Sequence, residues 1–365
     1  MRTIEIRSGL PVESICPVHL GPDAPGRLVQ DLARAGYGRT VLISDSNVAP
    51  LHADQLTAAA AAAGVQTDLL TFPAGERFKT RETKADIEDR LANLKVGRDG
   101  AIVALGGGVT GDLAGFVAAT WSRGIPVYQV PTSLLAMADA AIGGKTALDL
   151  PGAKNRIGAF HTPEGVYIDP SYLKTLPADR FTSGLAEVVK YGVIADPGIL
   201  SVLEERFQAV REPDSPVLLD LLVSCVRIKA AVVQEDPLEA GRRAVLNFGH
   251  TVAHALEAVS GYDIDHGEAV AVGMVVEGRL AADITGFPGE ELERLEQCLV
   301  HAGLPVKLPQ GFDPAEILEA AGADKKNREG RIRCALPVRL GEMIPGPDPT
   351  VAVNLPSLRA ALAAD

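Results

Sequence analysis

The sequence predicts an α/β domain over residues 1–178 and an all-α domain over residues 179–365. Three observations predict it. Up to about residue 178, short β-branched runs alternate with helix-period segments, the rhythm of a parallel sheet with helices on its faces. Beyond "LKTLP" the chain reads as helix after helix, and Pro177 makes a natural hinge. Between the strand "AIVAL" and the helix that follows lies a turn with Gly106, Gly107, Gly108 and Gly111.

Taken in order, "MRTIEIRSGLP" alternates like a strand and lacks the apolar stretch of a signal peptide. "RTVLISD" is a buried strand, "HADQLTAAAAAAG" a helix with a glycine stop, and "QTDLLTF" another strand. "TRETKADIEDRLANLKV" is an amphipathic helix, followed by the strands "GAIVAL" and "PVYQVP". In the second half, helices are expected over 184–195, 197–211, 216–234, 249–259, 267–285 and 290–302. One short strand pair, near "RIRCALPV" and "GEMIPG", interrupts them. No internal repeat is present.

Composition narrows the function. The 365 residues suggest about two domains, and 47% hydrophobic with 22% charged residues is an ordinary globular balance. A net charge of −12 argues against nucleic acid or an anionic membrane as the main partner. No apolar run approaches the ~18 residues of a membrane span. Cys16, Cys225, Cys298 and Cys334 form no CxxC pair, so a reducing, cytoplasmic setting is expected.

Gly106, Gly108 and Gly111 satisfy GxGxxG in the strand–turn–helix context that a pyrophosphate site needs. A tight turn without a ligand is the competing reading, and a lone match does not separate the two. The turn follows two earlier βα units, and no acid lies about 20 residues downstream. Asp45, ending an earlier strand, is the better candidate for a ribose. Glu76 and Lys79 lie on a loop after the next strand, where ligands collect in open sheets. The first domain is therefore read as nucleotide-binding.

Residues 131–163 combine glycine pairs with Asp139, Lys145, Lys154 and Asn155, which suits a phosphate or carboxylate better than a plain surface loop. In "SGLAEVVKYG", Glu187 and Lys190 stand among apolar neighbours, where a buried carboxylate wants a cation. Three of seven histidines, His250, His254 and His266, crowd into residues 247–270. Helix capping and a metal site both remain open on these residues alone.

The ordered set "GGGVTGDLAGF", "GGKT", "GAKNRIGAF", "SGLAEVVKYG", "LNFGHTVAHALEA", "HGEAVAVGM" and "DKKN" resembles the 3-dehydroquinate synthase family over roughly residues 30–340. The resemblance implies an NAD-binding α/β domain and a helical metal- and substrate-binding domain. It also implies a zinc or cobalt ion on Glu187, His250 and His266. The implied substrate is a phosphorylated heptulosonate, 3-deoxy-D-arabino-heptulosonate 7-phosphate, cyclised with loss of phosphate in a homodimeric enzyme.

By matching position, Asp45, Glu76 and Lys79 are implied NAD contacts, with Gly107, Gly108, Val109, Gly111 and Asp112 of the turn. Thr132, Ser133, Asp139, Lys154 and the stretch from Tyr172 to Thr175 complete that set. Arg123, Lys145, Asn155, Lys229 and Lys325 are implied substrate ligands, and Lys190, Arg243 and Asn247 catalytic ones. Glu239 and His254 correspond to proton acceptors. The chain departs from the family where Ala140 and Ala141 replace a commoner serine pair and "GAKN" replaces "LGKN", removing no charged group. A sister sugar-phosphate cyclase, a metal-dependent polyol dehydrogenase and a catalytically inactive paralogue are the alternatives.

Overall fold

Seven strands build the sheet of the N-terminal part: β1 (Arg2–Ser8), β2 (Ser14–Leu20), β3 (Arg39–Asp45), β4 (Thr67–Phe72), β5 (Gly100–Gly106), β6 (Val127–Pro131) and β9 (Gly165–Ile168). A separate antiparallel ribbon, β7 (Lys145–Leu150) with β8 (Ala153–Phe160), precedes the last of them. The order across the sheet is β1-β2-β9-β6-β5-β3-β4, parallel except for the β1–β2 edge pair. This computed structural model describes residues 1–8, 14–151, 153–322 and 332–363.

β5 and β6 are buried along their whole length and β3 along all but its ends, which is why their centres read as mostly apolar. The edge strand β4 is buried on only part of its length. Helices α1 (Ala24–Ala35), α2 (Ala49–Ala62), α3 (Arg81–Asn93) and α4 (Gly108–Thr120) connect the strands. On one side of the sheet, Val41, Ile43, Ile102 and Val127 pack with Ile87 and Leu91 of α3 and Leu113 and Val117 of α4. The chain runs from β3 outward to β4, then returns to β5 on the other side of β3. That reversal is the switch point at which open parallel sheets bind ligands.

The chain forms two compact units: Met1–Pro177 with Pro213–Gln234, and Ala178–Glu212 with Glu235–Asp365. This differs from a single break at residue 178, because α7 (Pro216–Glu235) leaves the helical half. Its side chains explain why. Lys229 Nζ donates to the Asp139 carbonyl at 2.7 Å, Gln234 Nε2 donates to the Glu5 carbonyl at 3.1 Å, and Asp220 pairs with Arg2.

The second unit holds α5 (Ala178–Ile194), α6 (Gly198–Val210), α8 (His250–Val259), α9 (His266–Ile284), α10 (Gly289–His301), α11 (Pro314–Gly322) and α12 (Leu355–Ala363). It is not purely helical. "RIRCALPV" breaks into β10 (Ile332–Ala335), paired with β13 (Thr350–Val353), and β11 (Pro337–Arg339), paired with β12 (Glu342–Met343). One strand pair was expected there, and α1, α11 and α12 were not anticipated. Within 131–163, where no strand was expected, the chain forms the β7–β8 ribbon.

Helix α9 approaches both its neighbours through glycine. A Cβ on Gly267 would stand 2.0 Å from the Ser183 carbonyl oxygen of α5, and one on Gly273 would stand 2.0 Å from the Gly249 carbonyl oxygen beside α8. In the first unit, by contrast, a Cβ on Gly26 of α1 meets nothing within 4 Å. Gly273→Ala should therefore lower stability by about 1–3 kcal/mol through overpacking. Gly26→Ala should raise it by up to about 1 kcal/mol. Urea unfolding of both variants checks the contrast, and a neutral Gly273→Ala would contradict the close approach.

Candidate active site

In the second unit, three helices bring one carboxylate and two imidazoles together. Glu187 comes from α5, where residues 183–194 are all buried, as the apolar flanks of "SGLAEVVKYG" suggested. His250 opens α8 and His266 opens α9. Glu187 Oε1 lies 3.3 Å from His250 Nε2 and 3.3 Å from His266 Nε2. The three ligand atoms lie within 4.8 Å of one another.

The outer nitrogens settle which way the rings face. His250 Nδ1 lies 3.1 Å from the Phe248 carbonyl oxygen, and His266 Nδ1 lies 3.1 Å from Glu257 Oε1. A carbonyl only accepts, so His250 Nδ1 carries the proton and, in the neutral ring, Nε2 turns a lone pair toward Glu187. Lewis bases thus converge, with carboxylate and carbonyl partners behind them, which is the donor chemistry of a divalent metal site. The residues present fit such an ion.

The charged groups of the trio also shift one another's protonation. Burial pushes the Glu187 carboxyl up, but Lys190, His250 and His266 outweigh it and hold the group well below the usual carboxylate range. Burial likewise opposes charge on His266, yet Glu187 and Glu257 push its pKa up to about 10. His250 is lowered, chiefly by burial. Lys190 is 1% exposed and forms an ion pair with Glu187 Oε2. His254, one turn after His250, stands edge-on to it with ring centroids 5.7 Å apart and is not part of the trio.

Just before the trio's α8 in sequence, a loop is organised by Asp236. Its carboxylate accepts from the N–H groups of Ala240 at 2.9 Å, Gly241 at 2.8 Å and Arg243 at 2.9 Å. Arg243 is not a surface arginine: it is fully buried and donates from Nη1 to the Pro237 carbonyl at 2.7 Å. Asn247 Nδ2 donates to Glu239 Oε1 at 3.0 Å, which joins two of the expected catalytic residues. Lys325 lies outside the described residues.

The first unit places the glycine turn at the switch point. Gly107 caps α4, and a Cβ there would stand 3.3 Å from Ser133 Oγ. Gly106 and Gly111 serve packing, because a Cβ would stand 2.3 Å from Thr110 Oγ1 and 2.9 Å from Gln129 Oε1 respectively. Thr132 N–H donates to the Gly106 carbonyl at 2.9 Å. Asp45, at the end of β3, accepts from Thr110 Oγ1 at 3.1 Å and from Asn47 N–H at 2.9 Å. The expected ribose acid therefore reaches the turn, and it also caps the chain entering α2.

A buried charge cluster surrounds Lys79, which is 3% exposed. Its ammonium lies 2.7 Å from Asp112 Oδ2, 3.5 Å from Glu76 Oε1 and 2.6 Å from Asn155 Oδ1. Burial lowers its pKa, but Asp112, Glu76 and Asp149 together raise it. Lys154 lies 3.9 Å from Glu76, and Lys229 Nζ lies 2.9 Å from Asp139 Oδ1. Thr175 Oγ1 lies 2.8 Å from His52 Nε2, and Tyr172 packs edge-on against that ring. Arg123 and Lys145 are exposed, Arg123 with a left-handed φ of 72°. Val109 is partly buried against the core.

Sequence reading missed Glu257 and Asp149. Glu257 was within reach, since His250, His254 and Glu257 fall on one helical face. Asp149 had no signal, because its role depends on the β7–β8 ribbon.

Two consecutive stretches of the chain have counterparts among known proteins. Residues 69–183 match the model of the 3-dehydroquinate synthase N-terminal domain, and residues 184–327 match that of its C-terminal domain. The 3-dehydroquinate synthase of Synechococcus sp. is 47% identical over 88% of this chain and 89% of its own length. The chain belongs to the 3-dehydroquinate synthase family. Solved sister cyclases are more distant within the 3-dehydroquinate synthase fold. A 2-deoxy-scyllo-inosose synthase complexed with carbaglucose-6-phosphate, NAD+ and Co2+ is 26% identical, with a TM-score of 0.87 and 99% of each chain covered. The 2-epi-5-epi-valiolone synthase of Streptomyces hygroscopicus subsp. jinggangensis 5008, with NAD+ and Zn2+ bound, is 29% identical, with a TM-score of 0.85 and 97% of each covered. Among the described residues, no helix is long and apolar enough to cross a membrane.

Asp149 offers a pH test. Burial first, opposed by Lys79, pushes its pKa up to about 6. A carboxyl raised by folding favours the folded state when protonated, so its contribution is complete below about pH 4 and lost above about pH 6. Stability should fall across that window, and Asp149→Asn should flatten the slope. Denaturant midpoints at several pH values check this, and an unchanged slope would assign the titration elsewhere.

Proposed function

We propose that this chain converts 3-deoxy-D-arabino-heptulosonate 7-phosphate to 3-dehydroquinate and inorganic phosphate, with NAD and one zinc or cobalt ion. The observation that carries the reading is the convergence of Glu187 Oε1, His250 Nε2 and His266 Nε2 in a chain of this family. Bound NAD+ would supply reversible hydride acceptance at the substrate's C5 carbinol, and the cation held by Glu187, His250 and His266 would supply polarisation of the oxygen there.

The protein's own residues do the rest. Glu187, His250 and His266 hold the cation, and Lys190 holds Glu187 ionised. At the switch point, amides of Gly107, Gly108, Val109 and Gly111 receive the pyrophosphate, aided by the positive end of α4. Thr132 and Ser133 line the same turn, and Asp45 takes the ribose. Glu76, Lys79, Asp112, Asp139 and Lys154 form the charged floor beside it, with Tyr172 and Thr175 on the adenosine side. Lys145, Asn155, Lys229, Arg123 and Lys325 hold the anionic ends of the substrate.

In the second unit, Glu239, oriented by Asn247, and His254 accept protons. Arg243 recognises an oxyanion with a planar guanidinium fork that lysine does not offer. Retention of Arg243, Asn247, His254 and Lys325 favours a carboxylate-bearing substrate over the sugars taken by sister cyclases. Four buried cysteine thiols fit a reducing cytoplasm. The homodimer is supported by family likeness, and sedimentation tests it.

The deciding assay supplies the heptulosonate phosphate with NAD+ well below the substrate concentration. Complete conversion to phosphate and dehydroquinate is expected. Exhaustive chelation should abolish it, and zinc or cobalt should restore it. One NADH formed per substrate would identify a dehydrogenase. Turnover only of sugar phosphates lacking a C1 carboxylate would identify a sister cyclase.

Arg243→Lys should lower kcat/KM for the heptulosonate phosphate by roughly 30- to 1,000-fold, while metal content stays at the wild-type level. The range corresponds to losing about 2–4 kcal/mol from a charge-assisted contact. Near-normal kcat/KM would leave Arg243 a structural residue.

A further inference from the structure

Helix α9 carries a buried acid on the face that carries His266. Glu277 stands eleven residues farther along, three turns to within about 20°. Its side chain is fully buried. Oε2 accepts from Gly249 N–H at 2.8 Å, and Oε1 accepts from Thr251 N–H at 3.0 Å and Val252 N–H at 3.2 Å. Those amides bracket His250 on both sides.

Helix α8 needs this help. Its N-cap is Gly249, which supplies no side-chain cap and sits at φ 81°. The first amides of a helix lack partners within it, and their positive end favours a carboxylate. Here the cap comes from a neighbouring helix rather than from the local sequence. The same turn sets the direction of the His250 ring, whose Nδ1 is held by the Phe248 carbonyl. The close approach of Gly273 to the Gly249 carbonyl brings α9 near enough for Glu277 to reach.

We propose that Glu277 is a positioning residue for the metal site, holding the turn 249–252 so that His250 Nε2 faces Glu187. This rests on the metal reading given above. It asks more than capping: an ordinary cap stabilises the fold, whereas this one also sets ligand geometry. Single methyl-scale shifts matter there, and outer-sphere partners of metal ligands typically change affinity by about 10- to 100-fold.

The test uses the full chain loaded with cobalt. Glu277→Gln keeps the shape but turns an amide N–H2 or a single oxygen toward amides that need two acceptors. It should weaken cobalt binding at least tenfold, measured by competition with a chromophoric chelator, and should shift the visible d–d spectrum. NAD+ affinity should be unchanged. Leu203→Ala, a cavity variant in the buried face of α6, supplies a control of reduced stability. It should keep the wild-type cobalt affinity and spectrum. Glu277→Asp, which keeps the charge, should recover part of the affinity.

Wild-type affinity and spectrum in Glu277→Gln would overturn the proposal and leave Glu277 a plain cap. If Glu277→Gln does not fold, Glu277→Asp carries the test, and an unchanged spectrum and affinity there overturn it equally. If His250→Ala binds cobalt as tightly as wild type, the metal reading itself falls, and this proposal with it.

Discussion

Helix α9 meets α5 and α8 with no side chain between backbones, and the second unit depends on that approach. Gly267 lies against the Ser183 carbonyl and Gly273 against the Gly249 carbonyl, each where a methyl group would stand 2.0 Å from oxygen. Such an approach costs the helix propensity of two alanines, about 1 kcal/mol each. What it gains is convergence. Glu187, His250 and His266 reach one point because three helix backbones are nearly in contact. Ordinary interhelical spacing of roughly 8–10 Å would hold them farther apart.

Convergence of like chemistry has its own cost, and the surrounding residues offset it. A buried carboxylate with two imidazoles needs partners on every free atom. Lys190 supplies one for Glu187, the Phe248 carbonyl orients His250, and Glu257 orients His266. The result is a trio whose ring orientations are fixed by the protein's own hydrogen bonds.

The first unit solves a different problem by the same means. Its glycine turn divides its labour: Gly106 and Gly111 let Thr110 and Gln129 pack close, while Gly107 lets Ser133 approach the start of α4. Around it, Lys79 is buried among Asp112, Glu76 and Asn155, a cluster that balances cation against carboxylate at the ligand-binding end of the sheet. Helix α7 belongs here because Lys229 is needed at Asp139. A chain segment from the helical half of the sequence thus completes the α/β half.

Periodicity alone determined most of the elements. Short, mostly apolar runs marked β3, β5 and β6, because a central parallel strand is covered on both faces. Helical spacing marked α6 to α10 closely at both ends, and α5 at its C-terminal end. The motif set singled out Glu187, His250 and His266, which the fold brings together. Tertiary structure decided what local pattern does not encode. The β7–β8 ribbon arises from cross-strand pairing, in which Gly158 lies against the Thr146 carbonyl, so its residues looked like polar loop. The allegiance of α7 depends on long-range bonds to Asp139 and Glu5, between residues far apart in sequence. Buried Arg243 and the cap that Glu277 lends to α8 have the same origin. Propensity and period describe a segment's own backbone and faces, whereas burial of a charge and the partner that satisfies it are properties of the packed chain.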